Sequence, residues 1–508
     1  MKYTTIKKLT VRILLTSITV SIVSCIGIKS QIKQHTGAKT EIVNPADFKV
    51  HSSDLAITNV SVLSKDCNEM LDSLTVLIKD KKIMSVAKEI TIPDEYQIID
   101  GTGQYLIPGL NDTHVHLSSS KNDLLLHLAN GITGVAEMFG SKQHLEWRYE
   151  AEEGSLSPDI YVATVKIASE KGLMPKIKGW FGGRKNFTTV KKAEEGVRKF
   201  KKQGYDAIKL SGRSESSIYY ALVNEAKRQS IPAIGHLSFS VGLKNFYSSG
   251  QSQLAHIEEI VKNIEADFGG LYHDNAEEYL AYVNENSDSI AIKLRENNIV
   301  VSSTIWLMES IPKQKFYLDD FIKEIELEYV NPGLVEGSKM NKGWLPGNNH
   351  YEDLDIKNDL ENSKRSQIYW EAFVEAIQIM TKALIENNVI IIAGTDANTS
   401  GIVSGFALHD EFESLKKCGM TNSQVLYAAT VAPSAWMKNN TGIVEAGYGA
   451  DLVLLAKNPL EDIRNTRSIN AVITNGKYLD REVLDNILQS IKEANNRSRE
   501  VNIDEFIN

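Results

Sequence analysis

The chain has 508 residues, of which 42% are hydrophobic and 24% charged, enough apolar material for one large core and a smaller second one. Its formal net charge of -9 argues against a nucleic-acid partner, since no basic face large enough to neutralise a run of phosphates is apparent. Lys191, Lys192, Arg198, Lys199, Lys201 and Lys202 alternate with Ala193, Val197 and Phe200 at helical spacing, as on a solvated helix face.

At the N-terminus, Lys2, Lys7, Lys8 and Arg12 precede an apolar stretch from Ile13 to Val23 that is short for a membrane span. Ile22-Val23-Ser24-Cys25 then resembles the end of a bacterial lipoprotein signal. The resemblance implies that residues 1–24 are removed and that Cys25 carries a lipid, anchoring an exported protein to the periplasmic or cell-surface face of a bacterial membrane. A plain signal peptide with an incidental cysteine is the alternative, and it too exports the protein. Residues 25–50 are mostly polar or small without a sustained period, which predicts a tether. The remaining cysteines, Cys67 and Cys418, are far apart and are expected as free, buried thiols.

Short β-rich runs follow: Leu55 to Leu63, Ser73 to Ile78, Lys82 to Ala87 and Gln97 to Ile99. The same texture returns in Asp451 to Ala456, Asn470 to Thr474 and Gly476 to Leu479. Residues 51–104 and 438–482 are therefore expected to form one β-sandwich built from both chain ends, with 483–508 a C-terminal tail.

Between residues 105 and 437 apolar runs alternate with helical segments, the pattern of βα units. Eight strands are predicted: Leu106 to His116, Ile132 to Met138, Ile160 to Val165, Ala207 to Leu210, Ala233 to Leu237, Leu254 to Ile257, Ile299 to Thr304 and Val389 to Thr395. Eight such units make an α/β fold, a (β/α)8 TIM-like barrel. An insertion at about 306–362, with a Gly, Asn and Pro-rich stretch from Asn331 to Asn349, is the expected lid, and a helix is predicted from Ser366 to Asn387.

Catalytic groups of such barrels sit at the C-terminal ends of the strands. Applied here, that filter selects His114 and His116, two apart and so on one edge of the first strand, then Lys209, His236, His256 and Asp396. Taken singly, His236 and His256 read equally well as core histidines, and Asp396 as a helix cap. Together they are polar ends of apolar strands, where burial without a partner costs several kcal/mol by order of magnitude and a shared metal centre removes that cost. Lys209 is the discriminating member. A protonated ammonium offers no lone pair, but the neutral amine reacts with carbon dioxide to an anionic carbamate whose two oxygens can bridge two cations.

Pro108-Gly-Leu-Asn-Asp-Thr-His-Val-His116 and Gly394-Thr-Asp396 resemble the first-strand and eighth-strand motifs of the amidohydrolase superfamily. Within it the chain is most similar to the imidazolonepropionase-like branch that includes the Xaa-Pro (prolidase-like) dipeptidases. The resemblance implies a hydrolase of amide or peptide C–N bonds, acting through a metal-bridging hydroxide. It also implies two divalent metal ions, zinc being the expected element. His114, His116 and Asp396 would hold one ion and His236 and His256 the other, with carboxylated Lys209 between them and Asp396 as the catalytic acid-base. Asp112 is expected behind the ligands, and Asn111 departs from the aliphatic residue usual there.

The expected partner is a small molecule, a dipeptide being somewhat favoured and a cyclic amide the close rival. A surface lipoprotein that keeps the metal site for structure alone is the alternative of another class. A substrate carboxylate would need a cation, and Arg213 is the candidate, a surface arginine being the other reading. Tyr219, Tyr220, His144 and Trp306 are candidate pocket residues.

Overall fold

The computed structural model describes residues 27–50, 54–117, 119–172, 184–353 and 359–507, so the expected signal segment and Cys25 lie outside the described residues. Five strands open the fold: β1 (Leu55–Leu63), β2 (Met70–Lys79), β3 (Lys82–Ala87), β4 (Gln97–Asp100) and β5 (Tyr105–Pro108). Ten short strands follow: β6 (Leu110–Val115), β7 (Ile132–Gly140), β8 (Asp159–Thr164), β9 (Ile167–Ala168), β10 (Lys185–Asn186), β11 (Ile208–Leu210), β12 (Ala233–Gly235), β13 (Gln253–Leu254), β14 (Val300–Ser302) and β15 (Ile391–Ile392). Three more close the chain: β16 (Leu452–Leu455), β17 (Ile469–Thr474) and β18 (Lys477–Asp480).

The two chain ends join in one sheet of order β18-β17-β16-β5-β1-β2-β3, with β4 beside β1. It curls over: Ile83 N donates to Tyr448 O and Ala450 N to Lys81 O, so the β3 edge returns to the residues entering β16. The expected sandwich is therefore one folded sheet. Alternation explains its two-sided burial. Leu106, Leu452, Leu454, Ala471 and Ile473 point into a core of its own, whereas Ile107, Val453, Leu455 and Val472 belong to the large core shared with the barrel.

The barrel strands form two parallel sheets, β6-β7-β8 and β10-β9-β11-β12-β13-β14-β15. Two parallel bridges, Ala163 with Ala207 and Val115 with Ala397, close them into a ring. The first predicted strand is split at Gly109, where the chain passes from the end sheet to the barrel. A Cβ there would lie 2.0 Å from Thr133 Oγ1, so the crossing is tight enough to require glycine.

The expected lid is a packed helical layer over most of its described length. Helices Ile305–Phe316, Leu318–Glu324 and Pro332–Glu336 bury Ile311, Phe321, Ile322 and Val335. The long helix begins at Leu360, earlier than predicted, because the Asp359 side chain accepts from Glu361 N and Asn362 N.

Residues 25–50 were expected to be a tether, but the described part is docked. Residues 27–35 are helical. Beyond them Thr36 O accepts from Ser119 N at 2.8 Å, Thr40 Oγ1 donates to Asn331 Oδ1 at 2.9 Å and Val43 N donates to Asn122 Oδ1 at 2.9 Å. Backbone groups, polar side chains and the isolated apolar side chains of Val43, Phe48 and Val50 hold it, so it carries no sustained hydrophobic period. The expected C-terminal tail likewise contains a helix, Arg481–Ser498, which buries Leu484, Ile487, Ile491 and Ala494 at helical spacing. Arg497 pairs with Glu41 through two 2.9 Å contacts, tying the two ends together. Among the described residues no helix is long and apolar enough to cross a membrane, and Cys67 and Cys418 are free and buried.

Candidate metal centre

All six strand-end residues converge at one mouth of the barrel. His114 lies in β6 and His116 just past it; Lys209 lies in β11, while His236, His256 and Asp396 follow β12, β13 and β15. His114 Nε2 is 3.3 Å and His116 Nε2 2.8 Å from the same Asp396 oxygen. Lys209 Nζ is 3.0 Å from His114 Nε2. The His256 ring stands 4.5 Å from that of His114 and 5.1 Å from that of His236, centroid to centroid. Single ligand atoms of His114, His256 and Asp396 lie within 4.8 Å of one another, the spacing of groups around one ion.

The imidazoles are oriented from behind. His236 Nδ1 lies 3.0 Å from Glu259 Oε1, and His236 Nε2 is buried without a hydrogen-bond partner. An acceptor carboxylate on Nδ1 places the proton there and leaves the Nε2 lone pair for a cation. His256 Nδ1 is 2.9 Å from Thr304 Oγ1. Asp112 holds rather than ligates: it accepts from His114 N, Thr395 N and Thr395 Oγ1, tying β6 to the Asp396 turn.

Close approach and strain show how tightly these ends are held. A Cβ on Gly394 would lie 2.9 Å from His114 Cβ and 2.6 Å from Ser302 Oγ. Asp396 has φ +62° and Thr304 φ +54°, left-handed conformations that cost about 1–3 kcal/mol each in non-glycine residues. Such strain persists where surrounding contacts over-determine the backbone, as the Asp112 and Glu411 carboxylates do here; Glu411 accepts from Ile305 N and Trp306 N just after Thr304.

The electrostatics suit cation binding. Burial lowers the pKa values of His114, His236 and His256 well below the ordinary value, which keeps their lone pairs available near neutral pH. Burial also drives Lys209 well below its usual value, helped by the Lys166 charge, which favours the neutral amine that carboxylation requires. For Asp396 burial pushes upward, but the His116 and His114 imidazoles beside it outweigh that and hold the carboxyl well below the usual range. These are the donors and charges a two-cation site requires, so the residues fit the implied metals.

Beside His116 opens a cavity of about 380 Å³, bounded by Phe139, His144, Lys166, Arg184, Leu334 and Asn398, with His35 and Thr36 of the N-terminal segment as its outer wall. Of the pocket residues expected from sequence, His144 is there. Tyr219 is instead fully buried in the core, donating toward Ser249 and Gln251, because its long polar end found partners inside. Trp306 is packed against Phe321. Arg213 is 60% exposed and paired with Glu170. Sequence reasoning missed Glu137, Lys166, Glu259, Thr304 and His35. The strand-end filter could have found Glu137, a lone acid in the apolar run of β7; burial pushes its carboxyl up to about 8.

Residues 105–479 match the amidohydrolase family. The chain belongs to that family. Solved structures similar to this chain include a bottromycin amidohydrolase, with TM-score 0.66 and 19% identity over 87% of this chain and 90% of that one. A Xaa-Pro dipeptidase with bound methionine in its active site has TM-score 0.57 and 18% identity, over 84% of this chain and all of that one. Among curated proteins, a 5'-deoxyadenosine deaminase of Methanothermobacter thermautotrophicus is 50% identical over 44 residues, and an adenine deaminase of Staphylothermus marinus 32% over 72. The chain matches only 10% and 12% of those two relatives' lengths.

Proposed function

We propose that this amidohydrolase cleaves a C–N bond of a small substrate with water, using two divalent ions, zinc by expectation, and that a dipeptide or N-acyl amino acid is the substrate class. The convergence of His114, His116, Lys209, His236, His256 and Asp396 on one buried cluster carries the reading. A purely structural site needs four ligands and closes around its ion, whereas this cluster has six ligand-type groups and opens on a cavity.

His114, His116 and Asp396 would hold one ion and His236 and His256 the other. Lys209 would supply a further anionic ligand if its neutral nitrogen added to carbon dioxide and lost a proton, leaving a carbamate. When bound, the ions supply Lewis acidity, which makes water more acidic and polarises an acyl oxygen. Asp396 accepts the proton of the attacking water at a carboxylate oxygen and returns it to the leaving nitrogen. Asp112 and Glu259 keep His114, Asp396 and His236 in register while this happens.

Export and a lipid on Cys25 belong to the same reading, supported by the basic and apolar run before that cysteine. The helix at residues 27–35 spans roughly 14 Å at 1.5 Å per residue and ends at the cavity wall, so an anchor at its start holds the cavity close to the membrane surface. Cys25→Ala is expected to move the protein from the membrane to the soluble fraction; unchanged fractionation removes the anchor.

Metal analysis of the full chain, followed by a panel of dipeptides, N-acyl amino acids, cyclic amides and adenine nucleosides, tests the activity. Two metals per chain with turnover of a linear amide supports the reading. Turnover confined to cyclic amides or to ammonia release reassigns the substrate. Two metals with no turnover favours a binding lipoprotein.

A further inference from the structure

We propose that Lys166 is the anchor for an anionic group of the substrate, a carboxylate held beside the scissile bond in the cavity next to His116. This rests on the hydrolase reading and names the substrate feature that the site selects.

Lys166 sits at the break between β8 and β9, on the rim that carries the metal ligands. It is half-buried and faces the same cavity as His116 and Asn398. The other cations nearby either meet a carboxylate or, like Lys185, lie exposed on the surface. Arg184 and Arg213 share the Glu170 carboxylate at 3.3 and 3.2 Å, and Lys171 meets Glu215 at 2.8 Å. The Lys166 ammonium has neither an ion pair nor a hydrogen bond among the described residues, and no Asp or Glu is among the described residues that line the cavity.

A half-buried ammonium facing an apolar and imidazole-lined space is complete only when an anion arrives. The Lys166 ammonium, which meets no carboxylate in the cavity lining, can take a substrate carboxylate as its partner. His116 lines the cavity and its Nε2 lies 2.8 Å from Asp396, so one small molecule can reach both the cavity and the cluster. Arg213, the cation suggested by the sequence, is held outward by Glu170 and lies outside the cavity.

The test compares N-acetyl-L-leucine with N-acetyl-L-leucinamide, which differ only in the carboxylate. Both are titrated calorimetrically into the metal-loaded full chain carrying Asp396→Asn, so that neither is consumed and binding is read whether or not the enzyme hydrolyses them. The acid is expected to bind at least about tenfold more tightly than the amide, the size of one charge-assisted hydrogen bond. Adding Lys166→Met brings the ratio to within about twofold with metal content unchanged; Lys166→Gln reads the same ratio should the methionine variant not fold. Lys166→Arg keeps most of the preference, and Arg213→Gln keeps all of it. A ratio near one in the parent, or a preference that survives Lys166→Met or vanishes with Arg213→Gln, overturns the assignment. Failure of the substrate panel with an intact acid preference would overturn the hydrolase reading alone.

Discussion

Two regions meet at the same cavity and are held there in different ways. The metal cluster is delivered by the ends of parallel strands whose hydrogen-bonded register leaves each side chain little choice of direction. The facing wall is the N-terminal segment, which reaches the cavity as a strap fixed by a handful of polar contacts: Thr36 to Ser119, Thr40 to Asn331 and Glu41 and Val43 to Asn122. The cluster is fixed by strand pairing within the barrel, whereas the strap is fixed by contacts along its own length. Chemistry is thus placed on the barrel strands, and one wall of the cavity on a segment outside them.

The largest effect is expected from the rigid side. Asp396→Asn keeps the shape of the side chain but removes its basicity, and turnover should fall by roughly 10² to 10⁴. Metal content measured on the same sample separates this from loss of a ligand. A variant that keeps both its metals and near wild-type turnover would take the acid-base role away from Asp396.

The strap predicts a different signature. Gly37 has φ +85°, and a Cβ there would lie 1.8 Å from Asn331 Nδ2, the side chain on which Thr40 also docks. Gly37→Val should therefore detach the strap. Losing one wall of the cavity is worth about 1 kcal/mol of substrate binding, roughly fivefold in KM, with kcat and metal content unchanged. A fall in kcat or a loss of metal would mean that the strap supports the cluster itself.

The same contrast decides what could be read in advance. His114, His116, Lys209, His236, His256 and Asp396 are legible because each breaks an apolar strand at its C-terminal end, a pattern local in sequence. Asp112 is legible by its spacing from His114. The strap is not, because residues 27–44 bind through backbone groups, scattered polar side chains and the Glu41–Arg497 pair, whose partners lie far away in sequence. Lys166 and Arg213 are equally plausible cations in sequence, and only the placement of Glu170 separates them. Tyr219 differs from expectation for a related reason: an amphipathic ring can be satisfied in a core as well as in a pocket, and sequence does not show its partners.

The smallest effect concerns stability and runs against activity. Lys209 is fully buried, and burial holds its pKa well below the unfolded value of about 10.4. A group whose folded pKa is depressed binds fewer protons when folded, so as the pH drops below about 10.4 the unfolded chain takes up a proton that the folded one refuses, and stability falls. In the metal-stripped protein, Lys209→Met removes that penalty and leaves an unbranched apolar chain in the same space. The variant should melt about 2–4 °C above the metal-stripped wild type at pH 7, with the gap narrowing toward pH 10, while hydrolysis is lost. A lower melting temperature, or a gap independent of pH, would show that the amine is already paired and charged in the folded state. That result would undercut the neutral amine on which carboxylation of Lys209 depends, and with it the bridge between the two halves of the metal centre.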